Sequence, residues 1–441
     1  MDKSISQPSI FGDIPKSWFI RKLGECTEKV GSGVTPNGGS KAYVETGIPL
    51  IRSQNILSGK LKLDDVAYIT QAQHDKMKGS KLHARDVLLN ITGASIGRCA
   101  VLPDNFDEGN VNQHVCIIRT TNVLDPSFCG FFLNSSFGQK QIWSLQAGGN
   151  REGLNFQQIK SFAIITPPIF EQQKIAEVLS TVDKKIDLID QKIAETVKLK
   201  TGLMQKLFSE GVGVQDSDGN WQPHSEFQDS PFGKVPSSWA LETLEQRLDV
   251  IKDGTHFSPK SKEGPCKYLT SKNIRFGELD LTNISYISQE EHDRIYKGSP
   301  VKYGDILLTK DGANTGNAAI NTLEEPFSLL SSVAYLRGSE KDVDHGYLLQ
   351  LLLSPKGQSM MKSAMAGQAI TRLTLKKIGA FVLPFAPIDE QNEIERILST
   401  VDKKLQLLKK QKSETQQLKK GLMQKLLTGE WRVPVEETEA A

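Results

Sequence analysis

No apolar run in the 441 residues approaches the roughly 20 that cross a bilayer. The opening MDKSISQPSI also lacks the apolar core of a secretory signal. Both absences predict a cytoplasmic protein with no membrane contact. Cysteine is scarce: Cys26, Cys99, Cys116, Cys129 and Cys266 make an odd set without a C-x-x-C pair. That argues against a disulfide framework or a zinc knuckle and predicts reduced structural thiols. A strong charge of either sign is missing too, since 54 Lys and Arg face 52 Asp and Glu. A chain that grips a long duplex by itself usually has more basic excess. Any DNA-facing charge here is therefore local, or partners supply part of the grip.

Catalytic signatures are equally sparse. No G-x-x-x-x-G-K-[ST] phosphate loop occurs, which excludes the usual ATP chemistry. Gly93 to Gly97 (GASIG) is glycine-rich but is not a dinucleotide fingerprint. No Asn/Asp-Pro-Pro-aromatic tetrad is present, and Thr166-Pro-Pro-Ile169 reads as a helix entrance. His74-Asp75 and His292-Asp293 match half of a metal phosphohydrolase motif without the remaining ligands. They read as repeated structural or DNA-proximal polar pairs. The expectation is no catalytic residue, no metal site and no cofactor in this chain.

What the sequence does have is an internal repeat. FGDIPKSW (Phe11 to Trp18) returns as FGKVPSSW (Phe232 to Trp239), and RDVLLNITGASIG (Arg85 to Gly97) as GDILLTKDGANTG (Gly304 to Gly316). LSTVDKK (Leu179 to Lys185) and GLMQKL (Gly202 to Leu207) return unchanged at Leu398 to Lys404 and Gly421 to Leu426. Similarity is uneven. More than half the positions of Glu171 to Leu207 are identical in Glu390 to Leu426, while the preceding stretches match only in islands.

The near-copied segment reads as a long amphipathic helix. Ile175, Val178, Val182, Ile186, Ile189 and Ile193 fall at spacings of three and four, as do Ile394, Ile397, Val401, Leu405 and Leu408. Leu199, Leu203, Leu207 and Leu418, Leu422, Leu426 are expected to continue the stripe after a phase shift. Proline precedes each helix, at Pro167, Pro168 and Pro387, and glycine marks the exits at Gly211, Gly213 and Gly429. Gly202 and Gly421 are expected to weaken the last turns. Each stripe needs a partner, and the other copy is the evident one. The alternative is that each helix packs on its own globule. In an antiparallel pair the spacing between the globules would follow helix length.

The expected fold is α+β: two similar mixed α/β domains separated by a long antiparallel two-helix coiled coil with pseudo-twofold symmetry. The boundaries are residues 1–166 for the first globular domain and 167–208 for its helix. Residues 209–231 form a polar, turn-rich linker. The second domain spans 232–386, its helix 387–428, and a tail 429–441.

Four loop islands recur in both halves and carry small polar, amide and basic residues. Such residues let a loop approach a nucleic-acid backbone and donate to phosphate. Arg and Lys match guanine edges, and Asn and Gln match adenine. The DNA-binding candidates in the first half are Thr35, Arg52, Ser53, Gln54, Asn55, Thr92, Ser95, Asn150 and Arg151. In the second half they are Lys252, Thr255, His256, Ser271, Lys272, Asn273, Lys310, Asn314, Thr315 and Arg372. The charged and amide residues change between halves while the framework persists, as two readers of one design would require.

With these features the sequence resembles the specificity subunit of type I restriction–modification systems over essentially its whole length. The resemblance is carried by the two FG-x-x-P-x-SW starts, the two glycine islands, and above all PPIFEQQKIAEVLSTVDKKID and PIDEQNEIERILSTVDKKLQ, each running on to LMQKL. It implies two target-recognition domains that read an asymmetric bipartite sequence in double-stranded DNA. It further implies two modification subunits around the helices, methylating adenine with S-adenosylmethionine, and restriction subunits that use ATP and magnesium. The implied setting is a bacterial or archaeal cytoplasm. Two rival readings stay open: the specificity arm of another restriction–methylation type, and a non-DNA assembly scaffold.

Overall fold

The structure, a computed structural model, describes residues 11–36, 38–146, 153–365 and 372–434. It is mixed α and β, and it divides into two compact units that cut across both long helices. The first unit comprises residues 1–190 and 411–441, the second residues 191–410.

Each unit is built on a four-stranded antiparallel sheet. In the first unit the order is Thr27–Ser32, Val115–Thr120, Val87–Asn90, Cys99–Val101. In the second it is Val250–Asp253, Val333–Arg337, Ile306–Thr309, Ala318–Ile320. The central strands read VLLN and ILLT and are buried throughout. Continuous apolar runs of that length suit a strand covered on both faces. A three-stranded sheet accompanies each, Ala67–Ile69, Ile48–Ile51, Asn110–Val111 and Ser285–Ile287, Cys266–Leu269, Ser328–Leu329.

The two long helices run Ile169–Glu210 and Ile388–Thr428. At 1.5 Å per residue each is about 60 Å long. Both are entered directly after proline and left through glycines in the left-handed region, Gly211 at φ 70° and Gly429 at φ 76°, where a side chain would be strained. Helix continues through Gly202 and Gly421.

Each helix begins on its own globule and ends on the other unit's core. In the first unit Ile175 and Leu179 share a cluster with Leu426 and Leu427. In the second, Ile394 and Leu398 share one with Met204, Leu207 and Phe208. Two ion pairs fix an antiparallel register in the first unit, Asp183–Lys419 at 2.6 Å and Asp190–Lys412 at 2.6 Å. In the second unit the same register is fixed by Lys200–Asp402 at 2.7 Å. The sequence expectation for the final turns needs correcting. Leu199 and Leu418 are more than half exposed, and Lys200 and Lys419 face inward instead. Spacings of four drift by about 40° each on a helix of 3.6 residues per turn, so two steps from Leu207 or Leu426 rotate the residue roughly 80° off the stripe.

The Glu-Gln pair that opens each helix latches it to its globule. Glu171 is buried and accepts from Trp18 Nε1 at 2.9 Å and from Arg432 Nε at 2.5 Å. Glu390 is equally buried and accepts from Trp239 Nε1 at 2.8 Å, His224 Nε2 at 3.0 Å, and the backbone N–H groups of Val212 at 2.8 Å and Gly213 at 3.0 Å. Gln172 accepts from Asp125 N at 2.9 Å and donates to Val123 O and Pro167 O at 2.9 and 2.8 Å. Gln391 repeats this with Asp344, Asp342 and Ala386. In each sheet a buried carboxylate grips an arginine, Asp86–Arg119 and Asp305–Arg337, through two N–H···O bonds. Those bonds hold both arginines above their ordinary pKa.

The segment expected as a turn-rich linker carries two hairpins, Val214–Gln215 with Trp221–Gln222 and Phe227–Ser230 with Gly233–Pro236. Its turn residues make the first one: the Asp216 carboxylate accepts the N–H groups of Asp218 at 3.0 Å and Asn220 at 2.9 Å.

Candidate nucleic-acid interface

Antiparallel pairing gathers the islands at one end of each four-stranded sheet. In the first unit Ser32 stands opposite Cys116 and Asn90 opposite Val115, so loops 33–36, 91–98 and 112–114 emerge together. Asn90 Nδ2 donates to Ser53 O at 2.9 Å and brings in residues 52–55. A bridge between Thr92 and Gly153 attaches residues 153–155, the described end of the loop AGGNREGLN. The second unit repeats the arrangement. Asp253 faces Ala334, Thr309 faces Val333, and Arg372 bridges to Asp311. Asn314 Nδ2 reaches Ser271 O at 3.5 Å. Close approach demands glycine in both: a β-carbon on Gly33 would meet Val111 O at 1.6 Å, and one on Gly254 would meet Leu329 O at 2.1 Å.

In the first unit an open cavity of about 460 Å³ is lined by Ser53, Gln54, Thr92, Ser95, Arg98 and His114. A polar chain crosses it. Thr35 donates to Gln113, whose amide lies 3.2 Å from His114 Nε2, and His114 Nδ1 lies 2.7 Å from Thr92 Oγ1. Gln54 is exposed, and its amide donates to Asp65 at 2.9 Å. Arg52 is half-buried, with its guanidinium 5.6 Å from the Tyr43 ring centre. In the second unit Lys252, His256, Lys272 and Arg372 are exposed, and Ser271, Asn314 and Thr315 are half-buried.

Four candidates turn inward. Asn55 is 1% exposed: its Oδ1 accepts Arg52 N at 3.0 Å and its Nδ2 donates to Lys62 O and Asp65 O at 2.9 and 2.8 Å. Asn273 repeats the staple with Thr270, Asp280 and Asn283. These amides close their own loops, because a tight turn leaves backbone groups that a short side chain can satisfy. Thr255 is buried and bonds to the backbone of Phe257. Lys310 is 3% exposed and ion-paired to Asp253 at 3.1 Å. Asn150 and Arg151 lie outside the described residues.

Sequence reading passed over Gln113 and His114, a polar turn between two strands. Arg294, in the repeated EHDRI segment, and Phe257, within the loop KDGTHFSP, were likewise not singled out. Arg98 lay within an island and was not singled out. His74 and His292 are structural: His74 Nδ1 lies 2.5 Å from Asn110 Oδ1 and His292 Nδ1 3.0 Å from Ser328 Oγ, both buried. Among the described residues no group of three or more His, Cys, Asp or Glu could hold a metal ion, and no helix is long and apolar enough to cross a membrane.

Duplicated loop clusters on duplicated sheets, joined through long helices, define a two-domain recognition protein. The chain belongs to the family described as the type I restriction modification DNA specificity domain, which matches residues 15–198 and again 251–417. Among curated relatives, it is 25% identical over 436 residues to a protein of Methanocaldococcus jannaschii named as the type I restriction enzyme MjaX specificity subunit, covering 96% of this chain and 95% of that one. It is 22% identical over 440 residues to the type I restriction enzyme EcoKI specificity subunit of Escherichia coli K12, covering 96% and 91%. Two solved structures share the fold at a TM-score of 0.56. One is the type I restriction–modification S subunit from M. genitalium, 18% identical, with 94% of this chain and 96% of that one covered. The other comes from work on complex assembly and conformational transition of the type I R-M system, 17% identical, with 95% and 100% covered. The chain is thus a specificity subunit of a type I restriction–modification system, the component concerned with DNA sequence recognition.

Proposed function

We propose that each loop cluster reads one half-site of an asymmetric bipartite sequence in double-stranded DNA. The two helices set the spacer between them. The observation that carries the reading is one loop cluster built twice on a shared frame, with different outward side chains. In the first unit these are Gln54, Thr92, Ser95, Arg98, Gln113 and His114. In the second they are Ser271, Lys272, Asn314 and Arg372. Different donors and acceptors on one scaffold read different base edges, so the half-sites differ.

The chain itself transfers no methyl group and cuts no DNA. Two modification subunits dock around the helices and bring S-adenosylmethionine; restriction subunits bring ATP and magnesium. Exposed leucines support docking on the helices: Leu188 and Leu418 in the first unit, Leu199 and Leu407 in the second. Leucine on the outer face of a helix pair is what a further helix covers. The complex works in a bacterial or archaeal cytoplasm.

Reconstitution tests this. Purified chain alone is expected to give no methyl transfer above a mock preparation. With its methyltransferase partners, adenine methylation is expected at one asymmetric motif, together with a salt-dependent shift of labelled duplex. Methyl transfer by the chain alone would refute the division of labour. A complex that assembles without shifting DNA would leave only a scaffold.

A further inference from the structure

We propose that the second unit carries a phosphate-binding pocket beside its loop cluster, formed by Lys252, His256 and Arg294 around Phe257, for a backbone phosphate flanking its half-site. Among the described residues the first unit has no counterpart. The proposal rests on the DNA-reading function above.

The pocket is an open cavity of about 370 Å³ between strand Val250–Asp253, the loop after it, and helix Gln289–Gly298. Three cation-capable side chains line it. Lys252 is exposed, the His256 side chain is 70% exposed, and that of Arg294 is 63% exposed. The Arg294 guanidinium carbon lies 4.5 Å from the centre of the Phe257 ring. That stack restrains the guanidinium plane and leaves its N–H fork free for an anion. It also covers one face of Phe257, so the ring serves as a support and not as a slot for an unstacked base.

The neighbouring carboxylates do not neutralise the site. Asp253 is held by buried Lys310 at 3.1 Å and lies 3.4 Å from His256 Nε2. Glu291 lies 3.9 Å from Arg294, but its oxygens accept the N–H groups of Lys260 at 2.8 Å and Ser261 at 3.0 Å. Among the described residues no carboxylate forms an ion pair with Lys252. Counting Lys252, Arg294 and Lys310 against Asp253 and Glu291, with His256 left out of the count, leaves one net positive charge. Like charges gathered in one cavity repel unless an anion joins them.

The first unit shows what a reader without the pocket looks like. Gly33 and Gly254 occupy the same close approach, which aligns Lys252 with Gly31, His256 with Thr35 and Phe257 with Pro36. The repeated EHDRI and QHDKM motifs align Arg294 with Lys76. One cation, Lys76, stands where the second unit has two, Lys252 and Arg294, and a histidine. The second unit would therefore hold more strongly to the backbone.

The test uses the chain assembled with its methyltransferase subunits. The probes are a labelled duplex carrying the methylated motif and a scrambled duplex of equal length, each titrated at several salt concentrations. The double substitution Lys252→Ala with Arg294→Ala is expected to weaken both duplexes by the same factor. It should make the log–log salt dependence less steep by about 0.9, one phosphate's share, with the methylation motif unchanged. Arg294→Lys, which keeps the charge, should retain the slope. These side chains are exposed, so folding is not at stake. Unchanged affinity and slope would overturn the proposal. So would a loss confined to the motif duplex, or a changed second half-site, since the residues would then read bases. If the unaltered complex did not prefer the motif duplex, the DNA-reading function itself would fail, and that result is separate.

Discussion

In the first unit the buried Glu171 is held by an indole and by an arginine from the segment after the second helix. In the second unit Glu390 is held by an indole, by a histidine from the segment after the first helix, and by two backbone N–H groups. The task is the same, and the partners differ. At Asn55 and Asn273, at Gln172 and Gln391, and at Asp86–Arg119 and Asp305–Arg337 the task and the pattern of partners both repeat. What the units share is the polar framework that satisfies buried backbone and charge. At the loop ends, Thr92 and His114 give way to Asp311 and Ser332, and Ile91 and Ser32 to Lys310 and Asp253. Sequence freedom is concentrated where it does not disturb buried hydrogen bonds, and this allows one frame to carry two readers.

Exchanging one unit's solution for the other's breaks the comparison most sharply at Lys310. Lys310→Ala would leave the largely buried Asp253 poorly compensated at the cavity wall. The expected loss is toward the lower end of about 3–5 kcal/mol, because His256 remains near that carboxylate. Lys310→Ile together with Asp253→Ser copies the first unit's Ile91 and Ser32 and is expected to stay within about 1 kcal/mol of the original. Denaturant unfolding of the second unit measures both. If the double substitution cost as much as the single, the two frames would not be interchangeable.

A smaller effect is expected at the latches. Glu390→Gln replaces an acceptor of several donors with an amide that conflicts with some of them, at about 1–3 kcal/mol. Glu171→Gln should cost less, since Arg432 is half-exposed and can turn to water. Equal losses in unfolding experiments would mean the extra backbone donors around Glu390 contribute nothing.

The smallest effect separates the units without altering them. Cys26, Cys99, Cys116 and Cys129 are buried in the first unit, and Cys266 lies partly exposed in the second. Burial raises the pKa of all four buried thiols, that of Cys116 to about 12. Since the thiolate is the reactive form, a thiol reagent is expected to modify one cysteine in the native protein and five in denaturant, counted by mass. Native labelling of the first unit's thiols would show that its core opens more readily than that of the second.

Much of this architecture was legible in the sequence because an ordered repeat carries long-range information. The Glu-Gln helix entrance and the glycine exits marked both helices, and spacing identified most of the apolar stripe. The stripe failed at Leu199 and Leu418, where an inward lysine opposite an aspartate cannot be told from a solvated one until the partner helix is placed. At the candidate site the loops were legible and the side chains less so. Asn55 and Lys310 have the composition of base readers, yet one staples its own turn and the other meets a carboxylate from two strands away in the same sheet. His114 and Arg294 carried no local signal, since only the sheet's pairing brings them to the islands.

The central claim is that two independent readers sit on one frame. It is tested most directly by replacing residues 12–162 with the same region of a relative and sequencing methylated adenines in cells that also express the methyltransferase partner. The account predicts an asymmetric bipartite motif in which one half-site changes and the other is kept. A motif in which both half-sites change together would contradict it.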